Sequence, residues 1–124
     1  MNLLWVGLGG CLGSILRYLT VNAAGRLFPS EFPYGTLIVN VIGCFIIAFI
    51  GGLAEGKMFL SAEARLLVFV GILGGFTTFS AFGYETFYFL KTSQFSLAFL
   101  NITAQLLLGL GAVALGYWAS RIFA

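Results

Sequence analysis

Histidine is absent from this chain, and only six basic and four acidic residues are spread over 124 positions. Without histidine, the two cysteines, Cys11 and Cys44, lack the companions that build a metal centre. Both lie inside apolar runs, where a thiol behaves as a small packing residue. Proline occurs twice, at Pro29 and Pro33, in one short connection. Charged residues are 8% of the chain against 60% hydrophobic, and the mean hydropathy is +1.06. A soluble domain of this size keeps a large exposed surface and could not hide so much apolar material. These shortages exclude a soluble domain. Neither an enzymatic function nor a nucleic-acid partner is expected.

What is present is four apolar runs, at roughly 3–24, 34–54, 66–90 and 95–120. Each approaches or exceeds the ~20 residues that cross hydrocarbon. The expected fold is all-α: one domain, 1–124, of four transmembrane helices in a lipid bilayer. The first run lacks a basic start, contains Arg17 and is followed by three more, so it is expected to be a span rather than a secretion signal. The connections are short, leaving no room for an extramembrane catalytic domain. The first holds both prolines, which stop one helix and start the next. With four spans, Lys57, Arg65 and Arg121 fall on one side and Arg26 and Lys91 on the other. Three against two is a weak orienting bias, which predicts insertion both ways round or reflects only a small protein with few charges. Small-xxx-small pairs at Gly9/Gly13, Gly52/Gly56 and Gly71/Gly75 predict close helix approach. The glycines of 7–13 faintly resemble a nucleotide-binding loop, but no strand precedes them and they lie in a span.

The third run carries the densest polar content: Gly74, Gly75, Phe76, Thr77, Thr78, Phe79, Ser80, Ala81, Phe82. A helix is expected to break near 74–80. Freed backbone at membrane depth must face protein, water or an ion, and this points to transport. Several other residues could share that work. Arg17 snorkels to the headgroups or forms a cationic vestibule. Asn40 lies one turn after Thr36 on the same face and is either helix–helix glue or a pore-lining donor. Asn101, Gln105 and Gly109 recur every four residues, a polar stripe on the last span. Glu85 is the only acid deep within a span, either a proton-coupling carboxylate or a hydrogen-bonded buried group. Phe76, Phe79 and Phe82 follow a three-residue spacing, and the positive edge of an aromatic ring can face an anion.

Taken in order, these residues resemble the Fluc (CrcB) fluoride channels over essentially the whole chain. Gly9-Gly10 through Arg17-Tyr18 is similar to the family's first-helix motif. Tyr34-Gly35-Thr36-Leu37 through Asn40 and Gly43 is similar to the second, and Gly74-Gly75-Phe76-Thr77-Thr78-Phe79-Ser80 to the third. The resemblance implies an antiparallel, dual-topology homodimer with two fluoride pores. It assigns Phe79, Phe82, Asn40 and Thr36 to the pore, with Ser80, Asn101 and Gln105 beside them, and Arg17 to the vestibule. It implies that main-chain carbonyls of Gly74 and Thr77 hold a structural sodium ion (Na+) at the dimer interface. Ala81 and Gly83 stand where relatives often have threonine and serine. Asn101 and Gln105 replace a serine or tyrosine track, and Gly109 offers no side chain.

The expected function is passive export of fluoride across a cell inner (cytoplasmic) membrane, lowering fluoride toxicity. Two alternatives remain. A proton-coupled small multidrug transporter of dual topology would want an acid near the middle of the first span, and there is none. A non-transporting membrane assembly subunit would use the glycine packing alone.

Overall fold

The computed structural model describes residues 1–55 and 60–123. Helix α1 is Asn2–Leu27 and α2 is Tyr34–Glu55. Helix α3 covers 62–76, as one α turn at Ala62–Arg65, a π-helical stretch at Leu66–Leu73 and a last turn at Gly74–Phe76. Helix α4 is Phe79–Lys91 and α5 is Phe95–Phe123. With α3 and α4 counted as halves of one span, four stretches among the described residues are long and apolar enough to cross a membrane. The shortest has 22 residues, or about 33 Å of helix, against a hydrocarbon core of about 30 Å. Gly56 and Lys57, part of the expected glycine pairing and charge balance, lie outside the described residues.

The connections are fastened rather than slack. After α1, the Phe28 N–H bonds the Ala24 carbonyl at 2.8 Å, and Ser30 Oγ accepts from the Phe32 N–H at 3.0 Å. Tyr34 packs its ring 5.4 Å from Phe28 and 5.0 Å from Phe32, seating the start of α2. Between α4 and α5, Ser93 takes a left-handed φ of 61°. That turn lets the Gln94 N–H reach back to the Phe89 carbonyl at 2.7 Å, so a closing hydrogen bond offsets a backbone state few residues adopt.

Two long contacts organise the bundle: α2 lies along α5, and α1 lies along α3. The fourth element then changes partner. Helix α4 leaves α1 and rests on α5, touching α2 lightly. An unbroken third helix would have continued beside α1, so the interruption is what lets one span bridge both pairs. Glycine makes the α1–α3 contact this close. Gly9 and Gly13 face the α3 backbone between Leu67 and Phe76, and a Cβ on Gly71 would lie 2.7 Å from the Gly9 Cα. Gly52 meets Ser120, and Gly116 meets the backbone of Phe45 and Phe49.

The chain exposes 7784 Å², whereas a compact soluble monomer of its mass would expose about 6,450 Å². The excess is largely apolar, with Leu3, Leu107, Leu110 and Trp118 among the exposed side chains. Lipid explains it for a multi-pass membrane protein.

Candidate functional site

The break falls at Thr77 and Thr78, within the expected window. Glycines at 74 and 75 and β-branched residues at 77 and 78 are poor helix formers, so the backbone leaves the helix cheaply here. Both threonines are extended, with φ/ψ of −87°/160° and −152°/116°. Each then caps a helix. Thr77 Oγ1 donates to the Leu73 carbonyl at 2.9 Å, closing α3. Thr78 Oγ1 accepts from the Ala81 N–H at 3.1 Å, opening α4.

The peptide groups released by the break are claimed by other helices. Asn40 Oδ1 accepts from the Thr78 N–H at 2.9 Å, and Asn40 Nδ2 donates to the Thr78 carbonyl at 3.1 Å. One amide side chain thus satisfies both backbone groups of one residue. Arg17 Nη1 donates to the Thr77 carbonyl at 3.2 Å from the other side. In hydrocarbon these backbone groups would otherwise lack partners, at several kcal/mol each. The sequence left Asn40 open between fastener and pore donor. In the folded chain Asn40 also donates from Nδ2 to Gln105 Oε1 at 3.0 Å, so it links the break to the last span while lining the groove described next.

That arrangement sets the amide of Gln105. Asn40 presents hydrogen, so Gln105 presents oxygen, and its Nε2 is buried without a partner among the described residues. Gln105 therefore carries a side-chain N–H donor that is unclaimed among the described residues. It opens on a groove of about 410 Å³ that it shares with Asn40, Gly74, Thr77, Phe79 and Phe82. The Phe79 and Phe82 rings meet edge to face at 5.5 Å, and Phe79 is 81% exposed. The C-terminal end of α3 and the N-terminal end of α4 both point at the break. One end favours cations, the other anions.

A second groove, of about 780 Å³, is lined by Arg17, Thr36, Thr78, Ser80 and Glu85. Thr36 Oγ1 donates to Glu85 Oε2 at 2.8 Å, and Ser80 Oγ lies 3.3 Å from Thr78 Oγ1. Asn101 lines neither groove. It is fully buried between α4 and α5, where its Nδ2 donates to Thr86 Oγ1 at 3.0 Å. Its Oδ1 has no partner among the described residues. The polar stripe of the last span therefore divides: Gln105 opens on a groove and Asn101 seals a packed seam. A helical spacing of four places them on one face but gives no sign of how α4 covers it.

The carbonyls of Gly74 and Thr77 belong to the last turn of α3 and its exit, an oxygen-only donor set suited to a hard cation. A Cβ at Gly74 would find only the Phe69 carbonyl, at 3.8 Å, so its flank is open. Arg17 already donates to the Thr77 carbonyl, and one chain offers too few oxygens for a full shell. The fit is sound in chemistry and incomplete within one copy.

A four-span membrane protein built around an interrupted helix, its loose ends held by side chains of two other spans, is the class this geometry defines. Residues 4–117 match the family model of the CrcB-like proteins, described as Camphor Resistance (CrcB). The chain belongs to the CrcB family. It is 42% identical over 123 residues to the fluoride-specific ion channel FluC of Hydrogenovibrio crunogenus, covering 99% of this chain and 93% of that one. It is 44% identical over 131 residues to the protein of the same name from Helicobacter pylori, covering 99% and 97%. The Nitrosococcus oceani protein of that name is 39% identical over 121 residues, covering 98% and 97%.

Proposed function

We propose that this chain is a fluoride-selective passive channel that releases fluoride from the cytoplasm. The observation that carries the reading is the break at Thr77–Thr78. It places a helix N-terminus, the Phe79 and Phe82 side chains and Gln105 around one open groove. The family and the names of its members supply the ion. Hydrogen fluoride enters cells as a neutral weak acid and dissociates inside, leaving a trapped anion. An inside-negative potential drives that anion outward by ~2.3 kcal/mol per 100 mV, so a passive path across the cytoplasmic membrane is enough. Selectivity comes from replacing tightly held water with N–H, O–H and ring-edge donors in a narrow passage.

In this mechanism Arg17 draws the anion into the wider groove, where the hydroxyls of Thr36 and Ser80 provide donors. Gln105 and the Phe79–Phe82 pair line the narrower groove. Asn40 acts mainly by holding the break and aiming Gln105. Phe79→Ile and Phe82→Ile are expected to slow fluoride efflux from liposomes by tenfold or more, while the folded protein is recovered in normal yield. Wild-type efflux in both variants would remove the rings from the pore, and no efflux from the wild type would overturn the channel reading itself.

The working unit in this reading is an antiparallel pair of copies. Phe79, Ser80 and Gly74 are exposed in one chain, at membrane depth, and a second copy would cover them. A two-fold axis in the membrane plane would bring four carbonyls, Gly74 and Thr77 from each copy, around one sodium ion, which would neutralise the facing α3 ends. Terminal tags in intact cells are expected to label from both faces in comparable amounts. The purified pair should exchange subunits faster once sodium is withdrawn. Labelling from one face with full efflux would exclude opposed insertion, and exchange indifferent to sodium would exclude the cation.

A further inference from the structure

Glu85 stands where three cavities meet. It lines the 780 Å³ groove with Arg17 and Ser80, a 340 Å³ pocket with Glu31 and Gln94, and a 200 Å³ pocket under the α1–α2 connection with Phe32. Its Oε2 accepts from Thr36 Oγ1 at 2.8 Å. Its Oε1 is buried and has no partner among the described residues. A carboxylate there would keep a buried acceptor without a donor, and would set a negative charge beside an anion path. The nearby cation does not relieve this, because Arg17 donates to the Thr77 carbonyl instead. One proton on Oε1 converts the same atom into a donor.

We propose that Glu85 is an anion-contacting residue that acts in its protonated form, its O–H at Oε1 donating to fluoride as the ion passes between the cavities. This rests on the fluoride-channel reading and adds a pH dependence to it. The bond is O–H···F⁻, and the proton stays on the carboxyl when the ion leaves, so none is carried across. Loss of the proton closes the route by charge repulsion and by removal of the donor. Among the described residues, the titratable groups sharing these cavities are Arg17 and Tyr18 from α1, Glu31 from the connection, Tyr34 from α2, and Tyr84 and Tyr88 from α4. Helix α5 contributes none to them.

The test is fluoride efflux from liposomes at steps between about pH 5 and about pH 8, with the leak of protein-free liposomes subtracted. The conducting form carries the proton, so the wild-type rate should fall as pH rises. The fall should approach about tenfold per pH unit where the carboxyl is mostly ionised. Glu85→Gln, a permanent neutral donor, should flatten the profile and exceed the wild type at the alkaline end. A flat wild-type profile, or an unchanged one in Glu85→Gln, would overturn the proposal while leaving the channel reading intact. Should Glu85→Gln fail to assemble, the wild-type infrared spectrum decides. The carboxylic C=O band should shift on adding fluoride and not chloride, and no shift overturns the assignment. Absence of efflux at every pH is instead the failure of the channel reading.

Discussion

Asn40→Asp is expected to cut fluoride efflux by about a hundredfold, and to do more harm than either phenylalanine change. The aspartate keeps the one acceptor that meets the Thr78 N–H, at 2.9 Å in the wild type. Its second oxygen replaces an NH₂ that donates to the Thr78 carbonyl at 3.1 Å and to Gln105 at 3.0 Å. Two donor–acceptor pairs become acceptor–acceptor pairs. Gln105 can reverse its amide and recover one of them. The Thr78 carbonyl cannot turn and is left without its donor. An unsatisfied buried group costs about 1–3 kcal/mol, which at 1.36 kcal/mol per tenfold gives up to about two orders of magnitude. Efflux from liposomes, with yield and monodispersity as controls, measures this. Near-normal flux in Asn40→Asp would mean that the clasp on Thr78 is dispensable.

Gly71→Ala is expected to abolish recovery of folded protein, a larger effect than its one added methyl suggests. The new Cβ would meet the Gly9 Cα at 2.7 Å and the Gly10 nitrogen at 3.1 Å, both backbone. Neither can swing aside as a side chain would, so α1 and α3 must separate along the contact that places Arg17 against Thr77. Overpacking in a tight core costs about 1–3 kcal/mol or more. Gly7, Gly83 and Gly111 provide the contrast, since a Cβ there meets nothing within 4 Å. Gly111→Ala should therefore express and elute like the wild type. Equal recovery of Gly71→Ala and Gly111→Ala, judged by size-exclusion profile in detergent, would refute the close-contact argument.

The four spans were legible because membrane solubility writes itself in composition: long apolar runs divided by Pro29, Pro33 and a few charges leave little choice of architecture. The observed spans extend only a few residues beyond the expected runs. The break was legible for the same local reason. Glycines followed by threonines weaken a helix, and Thr77–Thr78 lies inside the expected window. The π-helical stretch at Leu66–Leu73 was not legible. Its sequence is a plain apolar run, and nothing local distinguishes an i→i+5 pattern from an ordinary helix.

The individual roles around the break divide in the same way. Residue type alone marked Asn40, Gln105, Asn101 and Glu85 as polar groups needing partners in lipid, because an amide or carboxyl there is costly alone. Which partner each found depended on chain segments far apart in sequence. Asn40 reaches Thr78 and Gln105 across 38 and 65 positions, and Arg17 reaches Thr77 across 60. Spacing of four placed Asn101 and Gln105 on one face, but only the seating of α4 on α5 buried the first and left the second on a groove. The sequence by itself therefore determined the environment, the number of spans, the place of the break and the residues able to serve it, since these follow from local propensity and transfer energy. Tertiary structure alone decided which donors are consumed in holding the fold and which stay unpaired among the described residues, because hydrogen-bond pairing is fixed by which helices meet.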